Sequence, residues 1–265
     1  MCLILVAWQV HREFPLVVAA NRDEFFSRPT ASANFWPGNE ILAGRDLQAG
    51  GTWMGITRCG RFAALTNYRD PALYRDGLAS RGQLVADFLA AQAEPTVWLE
   101  HIRSMAPDFN PFNVVVGDRR TLACFSSVSG EIRRLEPGVF GLSNHLLDTP
   151  WPKVEAAKSS LARALKALPD DGALFDLLRD DTIHADEALP RTGVSLAWER
   201  LLSAAFVQGP GYGTRSSTVL KVSRRGTPIL DEKTWLEGGK AGDRHRFRFS
   251  LTGCKPFPGE GSRPP

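Results

Sequence analysis

Short apolar runs that come in neighbouring pairs are the feature of this chain that most constrains its fold. Residues 2–9 and 15–20 are apolar and rich in β-branched side chains, and only VHREF separates them. Two such runs joined by a short connection predict a β-hairpin. Three later segments predict further hairpins: 52–57 with 61–67, 112–127, and 217–230. The stretch 245–251 alternates polar and apolar residues, which predicts a half-buried strand.

Helical periodicity falls between the hairpins rather than inside them. Predicted helices cover 80–92, with Ser80 as the N-cap, and 96–105, 151–168, 172–180 and 194–202. Blocks of hairpins that alternate with blocks of helices are typical of an α+β fold, in which antiparallel sheets carry helices on their outer faces. The 265 residues, 43% of them apolar, suffice for one substantial core. We expect one domain at 1–252 and a disordered Pro/Gly-rich tail at 253–265.

Charge and hydropathy argue against two classes of function. The formal net charge is only +3 and no dense basic stripe is present, so we expect no nucleic-acid partner. No window reaches the roughly 18 apolar residues that indicate a transmembrane segment. The apolar run at 2–8 is too short for that role and makes a poor signal peptide, because no basic segment precedes it. We therefore expect a cytoplasmic protein.

The cysteines give no sign of a metal centre. Cys2, Cys59, Cys124 and Cys254 form no C-x-x-C pair, and no Cys/His cluster has zinc spacing. The sequence therefore predicts no metal and no other cofactor. An even number of cysteines allows two disulfides, but nothing else indicates secretion, and reduced thiols fit a cytosolic setting.

Four polar stretches interrupt the strand pattern, each at the predicted end of a strand. They are AANRDEFFSRP (19–29), LTNYRDP (65–71), GLSNHLLDTPW (141–151) and GPGYGTRSST (209–218). Loops at strand ends present functional groups on a rigid scaffold. Taken singly, each stretch is also explained by turn chemistry, because Asn tolerates left-handed backbone and GPGYGT lacks the Lys-Ser/Thr of a phosphate-binding loop. Taken with Cys2, they supply a nucleophile, an acid, two amides and an arginine.

Cys2 itself allows two interpretations. A free cysteine is a small hydrophobe that suits a buried strand. If Met1 is removed, however, Cys2 carries a thiol and a free α-amine on one residue. An amine with an ordinary pKa of about 7.7–8.0 suits a general base near neutral pH, and a nearby arginine would lower the pKa of the thiol. Side-chain amides are suited to donate hydrogen bonds to a developing oxyanion.

In combination, the motifs resemble those of the NRDE family of transport-and-Golgi-organisation-type proteins. The resemblance covers nearly the whole chain and rests on MC with its apolar run, AANRDEFFSRP, GGTWMGI, AALTNYRDP, SRGQLV, FN at 112–113, GLSN, TPWPK and GYGTRSST, in that order. It implies acyl-lipid or acyl-CoA metabolism, haem handling or organisation of the secretory pathway as the setting of the function.

A second resemblance bears on mechanism. The layout is similar to that of N-terminal-nucleophile hydrolases of the choloylglycine hydrolase and penicillin V acylase type. This implies a four-layer αββα fold and a cysteine exposed by removal of Met1. Carried over by position, Cys2 is the nucleophile and Asp23 holds the terminal amine. Asn67 and Asn144 are the oxyanion and substrate-positioning amides, and Arg215 polarises the thiol.

Arg22 is the point where the chain departs from that pattern. Those hydrolases place the arginine three residues before the aspartate, whereas Arg22 directly precedes Asp23. Neighbouring residues of a strand point to opposite faces, so both cannot face Cys2 if the strand continues through them. A bulge there would bring both to one side. We therefore include Arg22 among the site residues but rank Asp23 above it.

Three functions are compatible with the sequence. The first is hydrolysis of an amide, ester or thioester of an acyl- or lipid-type small molecule, with Cys2 as the nucleophile. The second is non-catalytic binding or trafficking of haem or an acyl lipid on the same fold. No haem-attachment motif is present, and His11 and His145 are the histidines nearest the motif loops. The third is an interaction protein in which the motifs only hold the fold.

Overall fold

The computed structural model describes residues 2–38 and 40–253. In chain order the strands are β1 (Cys2–Trp8), β2 (Leu16–Phe25), β3 (Thr30–Phe35), β4 (Ile41–Asp46), β5 (Met54–Thr57), β6 (Phe62–Asn67), β7 (Phe112–Gly117), β8 (Leu122–Ser126), β9 (Ile132–Arg134), β10 (Gly138–Leu142), β11 (Gln208–Gly209), β12 (Tyr212–Val222), β13 (Pro228–Leu236) and β14 (Lys240–Arg248). The helices are α1 (Arg81–Ala90), α2 (Pro95–Met105), α3 (Pro152–Ala164), α4 (Gly172–Leu178) and α5 (Leu196–Leu201).

These strands form two sheets. Sheet A has the order β10-β1-β2-β12-β13-β14, with the two-residue β11 paired to β12. Sheet B has the order β3-β4-β5-β6-β7-β8-β9, so each of its strands pairs with its neighbour in sequence. The pairings between the named strands are antiparallel throughout.

Three apolar clusters separate four layers. The first lies between the two sheets and joins β1, β2 and β12 to β4 through β8. The second covers the outer face of sheet A with α3 and α4, and the third covers the outer face of sheet B with α1 and α2. Each fully buried large apolar side chain contributes about 1.5–3 kcal/mol to such a core. The expected α+β fold with four layers in the order α, β, β, α is therefore confirmed.

The continuous apolar run of β1 follows from this layering. Leu3, Leu5 and Ala7 pack against the helices, whereas Ile4 and Val6 pack between the sheets. Because side chains alternate between the two faces of a strand, a strand covered on both sides carries no polar alternation. The same alternation places Cys2 on the face that looks toward sheet B.

The structure contains the predicted hairpins and helices, with shifted ends. β2 runs through Phe25, so residues 21–24 lie inside a strand rather than in a loop after it. β12 likewise begins at Tyr212 and includes most of the GTRSST motif. Both stretches lie at a strand end, as predicted, but the strands extend further into them than expected, to Phe25 and from Tyr212, and their polar side chains find partners inside the layers. Residues 254–265 of the predicted tail lie outside the described residues.

Five strands were not predicted from sequence: β3, β4, β9, β10 and β11. β3 and β4 carry Ala, Ser, Asn and Gly, which strands generally disfavour. β9 is largely exposed and β10 contains two glycines. In residues 2–38 and 40–253, no helix combines the length and the apolar character needed to cross a membrane.

Candidate active site

A cavity of about 510 Å³ opens at the end of the inter-sheet layer where β1 begins. Both sheets and the start of α1 contribute to it. Its lining includes Cys2, Arg22, Glu24, Arg215, Ser216 and Glu232 from sheet A, Ala31, Arg45, Asp46, Leu65 and Asn67 from sheet B, Arg28 and Trp53 from connecting segments, and Ser80, Arg81 and Gly82 around the N-terminus of α1. The cavity therefore combines apolar wall with a concentration of charged side chains around one thiol.

Cys2 and Arg22 are neighbours across two paired strands. They lie directly opposite each other in the antiparallel register of β1 and β2, so their side chains share the face toward sheet B. Both are buried, with 8% and 7% of their surface exposed. Burial raises the pKa of the Cys2 thiol above its ordinary value, while the Arg22 charge and the backbone N–H of Asp23 act to lower it.

Glu24 is the acidic partner of this arginine. Its Oε2 lies 3.6 Å from Nη2 of Arg22 and 3.9 Å from Nε of Arg28. The other terminal nitrogen of Arg22, Nη1, is buried and has no hydrogen-bond acceptor within residues 2–38 and 40–253. This N–H group of the guanidinium is therefore shielded from water, and none of the described residues accepts a hydrogen bond from it.

Asp23 lies on the opposite face of β2. Asn21, two residues earlier on that face, donates to the carbonyl oxygens of Leu178 and Ala205 in the helical layer, at 2.7 and 2.8 Å. The Asp23 carboxylate accepts a 2.7 Å hydrogen bond from the Thr214 hydroxyl. Burial raises its pKa. The strand continues through residues 22 and 23 without a bulge, so Arg22 rather than Asp23 shares the face of Cys2.

Lys153 is a buried cation whose role was not assigned from sequence. It lies in the first turn of α3, only 3% exposed, and its ammonium donates to the Leu202 carbonyl at 2.8 Å. Burial lowers its pKa to about 8, opposed by the negative charge of Asp23. The available signal was its spacing, because Lys153 lies four and eight residues before Ala157 and Leu161 on the buried face of the helix.

The two predicted amides are placed differently. Asn67 is the last residue of β6 and lines the cavity. Asn144 is fully buried outside the cavity lining. Its Nδ2 donates to the Asn67 carbonyl at 2.9 Å, and its own carbonyl accepts from the Arg69 N–H at 2.7 Å. Asn144 therefore fixes the ends of β6 and β10 relative to each other.

Arg215 lines the cavity from the bulge in β12. The register of β12 against β2 shifts between Thr214 and Ser216. The Nη1 of Arg215 donates to the carbonyl oxygens of Phe25, Phe26 and Arg28, at 2.8, 3.3 and 3.1 Å. The Arg215 guanidinium thus holds the turn that follows β2. This contact also fixes the end of β2, the strand that carries Arg22.

The other cysteines of the described chain are weaker candidates for a reactive thiol. Cys59 and Cys124 are free thiols like Cys2. Cys124 is buried between the sheets, and burial raises its pKa to about 12. Within residues 2–38 and 40–253 no group of three or more His, Cys, Asp and Glu side chains is arranged to hold a metal ion.

Comparison with known proteins gives the family. Residues 1–237 match the family model described as Transport and Golgi organisation 2. The chain is similar to the Transport and Golgi organization protein 2 homolog of Homo sapiens, with 36% identity over 261 residues that cover 89% of this chain and 94% of that protein. The homolog of Bos taurus is 35% identical over 259 residues, with the same coverage of 89% and 94%.

A solved structure that is similar is that of the Caenorhabditis elegans N-acylethanolamine-hydrolyzing acid amidase ortholog. It shares 12% identity, with a TM-score of 0.48 over 83% of this chain and 92% of that one. The family match extends over most of the chain, and it agrees with the resemblance that the sequence motifs indicated. The chain belongs to the Transport and Golgi organisation 2 family.

Proposed function

We propose that this protein is an N-terminal cysteine hydrolase that acts on an amide, ester or thioester of an acyl- or lipid-type molecule. The observation that carries the proposal is that Cys2 and Arg22 lie opposite each other in β1 and β2, so that the thiol and the guanidinium share one face, and that both residues line the cavity. A thiol buried against apolar neighbours alone would be inert, whereas a positive charge beside it favours the reactive thiolate.

The reaction starts with removal of Met1, which frees the α-amine of Cys2. The thiol attacks the carbonyl carbon while its proton passes to the amine, and the amine then protonates the leaving amine, alcohol or thiol. An acyl thioester remains on Cys2. Water, deprotonated by the same amine, attacks this thioester and releases the carboxylic acid. The thiol and amine titrate as a pair, so their apparent pKa values belong to both.

Five further residues support these steps in the proposal. Asp23 holds the ammonium form of the terminal amine from the opposite face of β2, and Arg22 stabilises the thiolate. Asn67 donates from the cavity wall to the oxyanion that forms on the carbonyl oxygen. Asn144 and Arg215 act as positioning residues, because their observed hydrogen bonds hold backbone at the ends of β6, β10 and β2.

The test compares three proteins on three octanoyl substrates: a 4-nitrophenyl ester, a 4-nitroanilide and an N-acetylcysteamine thioester. Cys2→Ala should lower kcat/KM by about a hundredfold or more on every substrate that the parent protein cleaves, because it removes the nucleophile. Cys59→Ala is the matched control, since Cys59 is half-buried outside the cavity lining, and it should leave the rate unchanged.

An equal rate in the Cys2→Ala variant would overturn the proposal. Binding of octanoate or haem by a parent protein that cleaves none of the three substrates would instead support the non-catalytic alternative. Haem binding through the Cys2 thiolate would appear as a Soret shift that Cys2→Ala abolishes.

A further inference from the structure

We infer that the N-terminus of α1, together with Arg81 and Arg22, forms a subsite for an anionic oxygen group, a carboxylate or a phosphate, carried by the substrate. The assignment of that anion to a substrate rests on the proposed function, whereas the subsite itself does not. The SRGQLV motif at 80–85 supplies most of the groups involved.

Two glycines bring this helix end to the cavity. A Cβ on Gly51 would lie 2.4 Å from the carbonyl carbon of Gly82, a distance that no side chain tolerates. The Thr52 N–H donates to the Gly82 carbonyl at 3.1 Å. The first turn of α1 is therefore pressed against the segment before β5, and Ser80, Arg81 and Gly82 line the cavity as a result.

The helix end is open to an anion. α1 is ten residues long, and its first turn contains no acidic residue. Ser80 occupies the N-cap but makes no capping hydrogen bond with its side chain. The Gln83 N–H donates to the Ser80 carbonyl at 3.1 Å. The N–H groups of Arg81 and Gly82 precede the first acceptors of the helix, and together with the helix dipole they favour a negative group.

Two guanidinium groups add charge at the same cavity. In the described part of the chain, no carboxylate oxygen lies within 4.0 Å of Arg81, whose Nη1 donates to the Pro111 carbonyl at 3.1 Å. Arg22 is 7% exposed, and its buried Nη1 has no acceptor among residues 2–38 and 40–253. A desolvated N–H without an acceptor is unfavourable, and a bound anion would offset that cost.

The acids of the cavity do not fill this role. Glu24 is engaged with Arg22 and Arg28, and Asp46 pairs with Arg28 at 2.8 Å. Glu232 accepts from the Ala33 N–H at 2.7 Å, and Asp23, which also lines the cavity, accepts from the Thr214 hydroxyl at 2.7 Å. Glu24 acts on Arg81 only through longer-range electrostatics, so no carboxylate of the described residues occupies an ion-pair position at Arg81.

The subsite lies close to the reacting thiol. Arg81 and Cys2 line the same cavity. Burial lowers the pKa of Arg81, and the charges of Tyr74, Cys2 and Glu24 act to raise it. An anion held there would lie near the carbonyl under attack. The substrate class is thus an acyl compound with a carboxylate or phosphate near its scissile bond. The neutral octanoyl substrates of the activity test lack this contact and report on the thiol chemistry alone.

The binding test uses the Cys2→Ala protein, so that no turnover occurs. Inorganic phosphate and succinate are titrated separately by calorimetry at pH 7 and constant ionic strength. We expect saturable binding of at least one of them. Tighter binding of phosphate would indicate a phosphate-bearing substrate, and tighter binding of succinate a carboxylate-bearing one.

Two further substitutions in that protein locate the anion. Arg81→Gln should weaken binding about tenfold or more, because charge-assisted hydrogen bonds are lost. Ser80→Asp should do the same by placing a competing carboxylate at the N-cap, yet it should preserve or raise the thermal midpoint, since Asp caps helices well. Arg103→Gln, on the exposed face of α2 where Arg103 pairs with Glu100, is the matched control and should bind as tightly as the parent.

Absence of binding by both anions, or unchanged affinity in both Arg81→Gln and Ser80→Asp, would overturn the subsite. The outcome of this binding test is independent of whether the proposed hydrolase function is correct. Anion binding with these dependences in a protein whose hydrolysis does not need Cys2 would remove the proposed function and keep the subsite. Cys2-dependent hydrolysis without anion binding would remove only the subsite.

Discussion

At the scale of single residues, the strand register explains why Arg22 lies beside Cys2. The β1–β2 register sets residue 2 opposite residue 22, and a continuous strand sends residue 23 to the other face. One arginine and one aspartate adjacent in sequence thereby face different layers, Arg22 toward sheet B and Asp23 toward the helices. The register depends on the whole hairpin, because a slip by one residue would turn every buried side chain to the wrong face.

Arg22 should control the reactivity of the thiol. Its charge lowers the pKa of Cys2 against the raising effect of burial. Arg22→Gln should therefore move the pH profile of Cys2 alkylation by iodoacetamide upward by about one unit or more. Arg45→Gln is the control, since Arg45 lines the same cavity but stacks on Trp36, 4.9 Å from its ring centroid. Equal shifts in both variants, or none in Arg22→Gln, would contradict this role.

Lys153 should make stability depend on pH in the alkaline range. Its pKa is about 8 in the folded protein, mainly through burial, and about 10.4 in an unfolded chain. The unfolded state then binds more protons between these values, so this contribution to stability rises as pH increases from about 8 to 10.

Urea unfolding of the parent and Lys153→Met at pH 7.5, 8.5 and 9.5 measures this effect. The difference in free energy of unfolding, parent minus variant, should increase by up to roughly 1.4 kcal/mol per pH unit. Lys158→Met, from the half-buried side of the same helix, is the control. A difference between parent and Lys153→Met that stays constant with pH would show that the pKa of Lys153 is not lowered by folding.

Among the elements, α1 owes its position to the close approach of Gly51 and Gly82. Gly51→Ala should destabilise the protein by about 1–3 kcal/mol, because the new methyl group overlaps backbone that cannot move independently. Gly172→Ala is the matched control, since the nearest atoms to its Cβ are side-chain oxygens of Asp170 at 3.5 Å. Thermal unfolding that gives the same midpoint for both variants would contradict the packing of α1 described above.

The strands and helices also show which parts of the fold could be predicted from the sequence. β1, β2 and the helices follow from apolar periodicity, which depends on local spacing. β3 and β10 were missed because their small and polar residues fit strands only through their neighbours in the sheets. Cys2 and Asn67 were predicted by motif and line the cavity, whereas Arg81 lines it through the packing of α1 and Lys153 is buried through the packing of α3. That packing is a tertiary property, and local pattern does not encode it.

The layers of the whole molecule are joined near the cavity by a buried ion pair. Arg69, just after β6, contacts Glu199 of α5 at 3.1 Å, and their side chains are 2% and 4% exposed. The Arg69 guanidinium also lies over the Trp151 ring, 4.5 Å from its centroid. Sheet B and the helices outside sheet A are thereby connected through one guanidinium.

Glu199→Gln should destabilise the protein by about 3–5 kcal/mol, because it leaves Arg69 charged and buried. The double variant Arg69→Met, Glu199→Leu should recover part of that loss. The neighbouring pair of Arg200 and Asp186 is exposed to solvent, so Asp186→Asn should destabilise the protein far less than Glu199→Gln. Urea unfolding measures all three, and equal costs for the two single variants would contradict this assignment.

The most direct test of the central proposal is the intact mass of the protein, expressed without an N-terminal tag, before and after brief exposure to 4-nitrophenyl octanoate. We predict a chain that begins at Cys2 and, after acid quenching, carries one octanoyl group on the peptide that starts with this residue. A chain that retains Met1, or an acyl group that attaches equally well in Cys2→Ala, would contradict the N-terminal nucleophile.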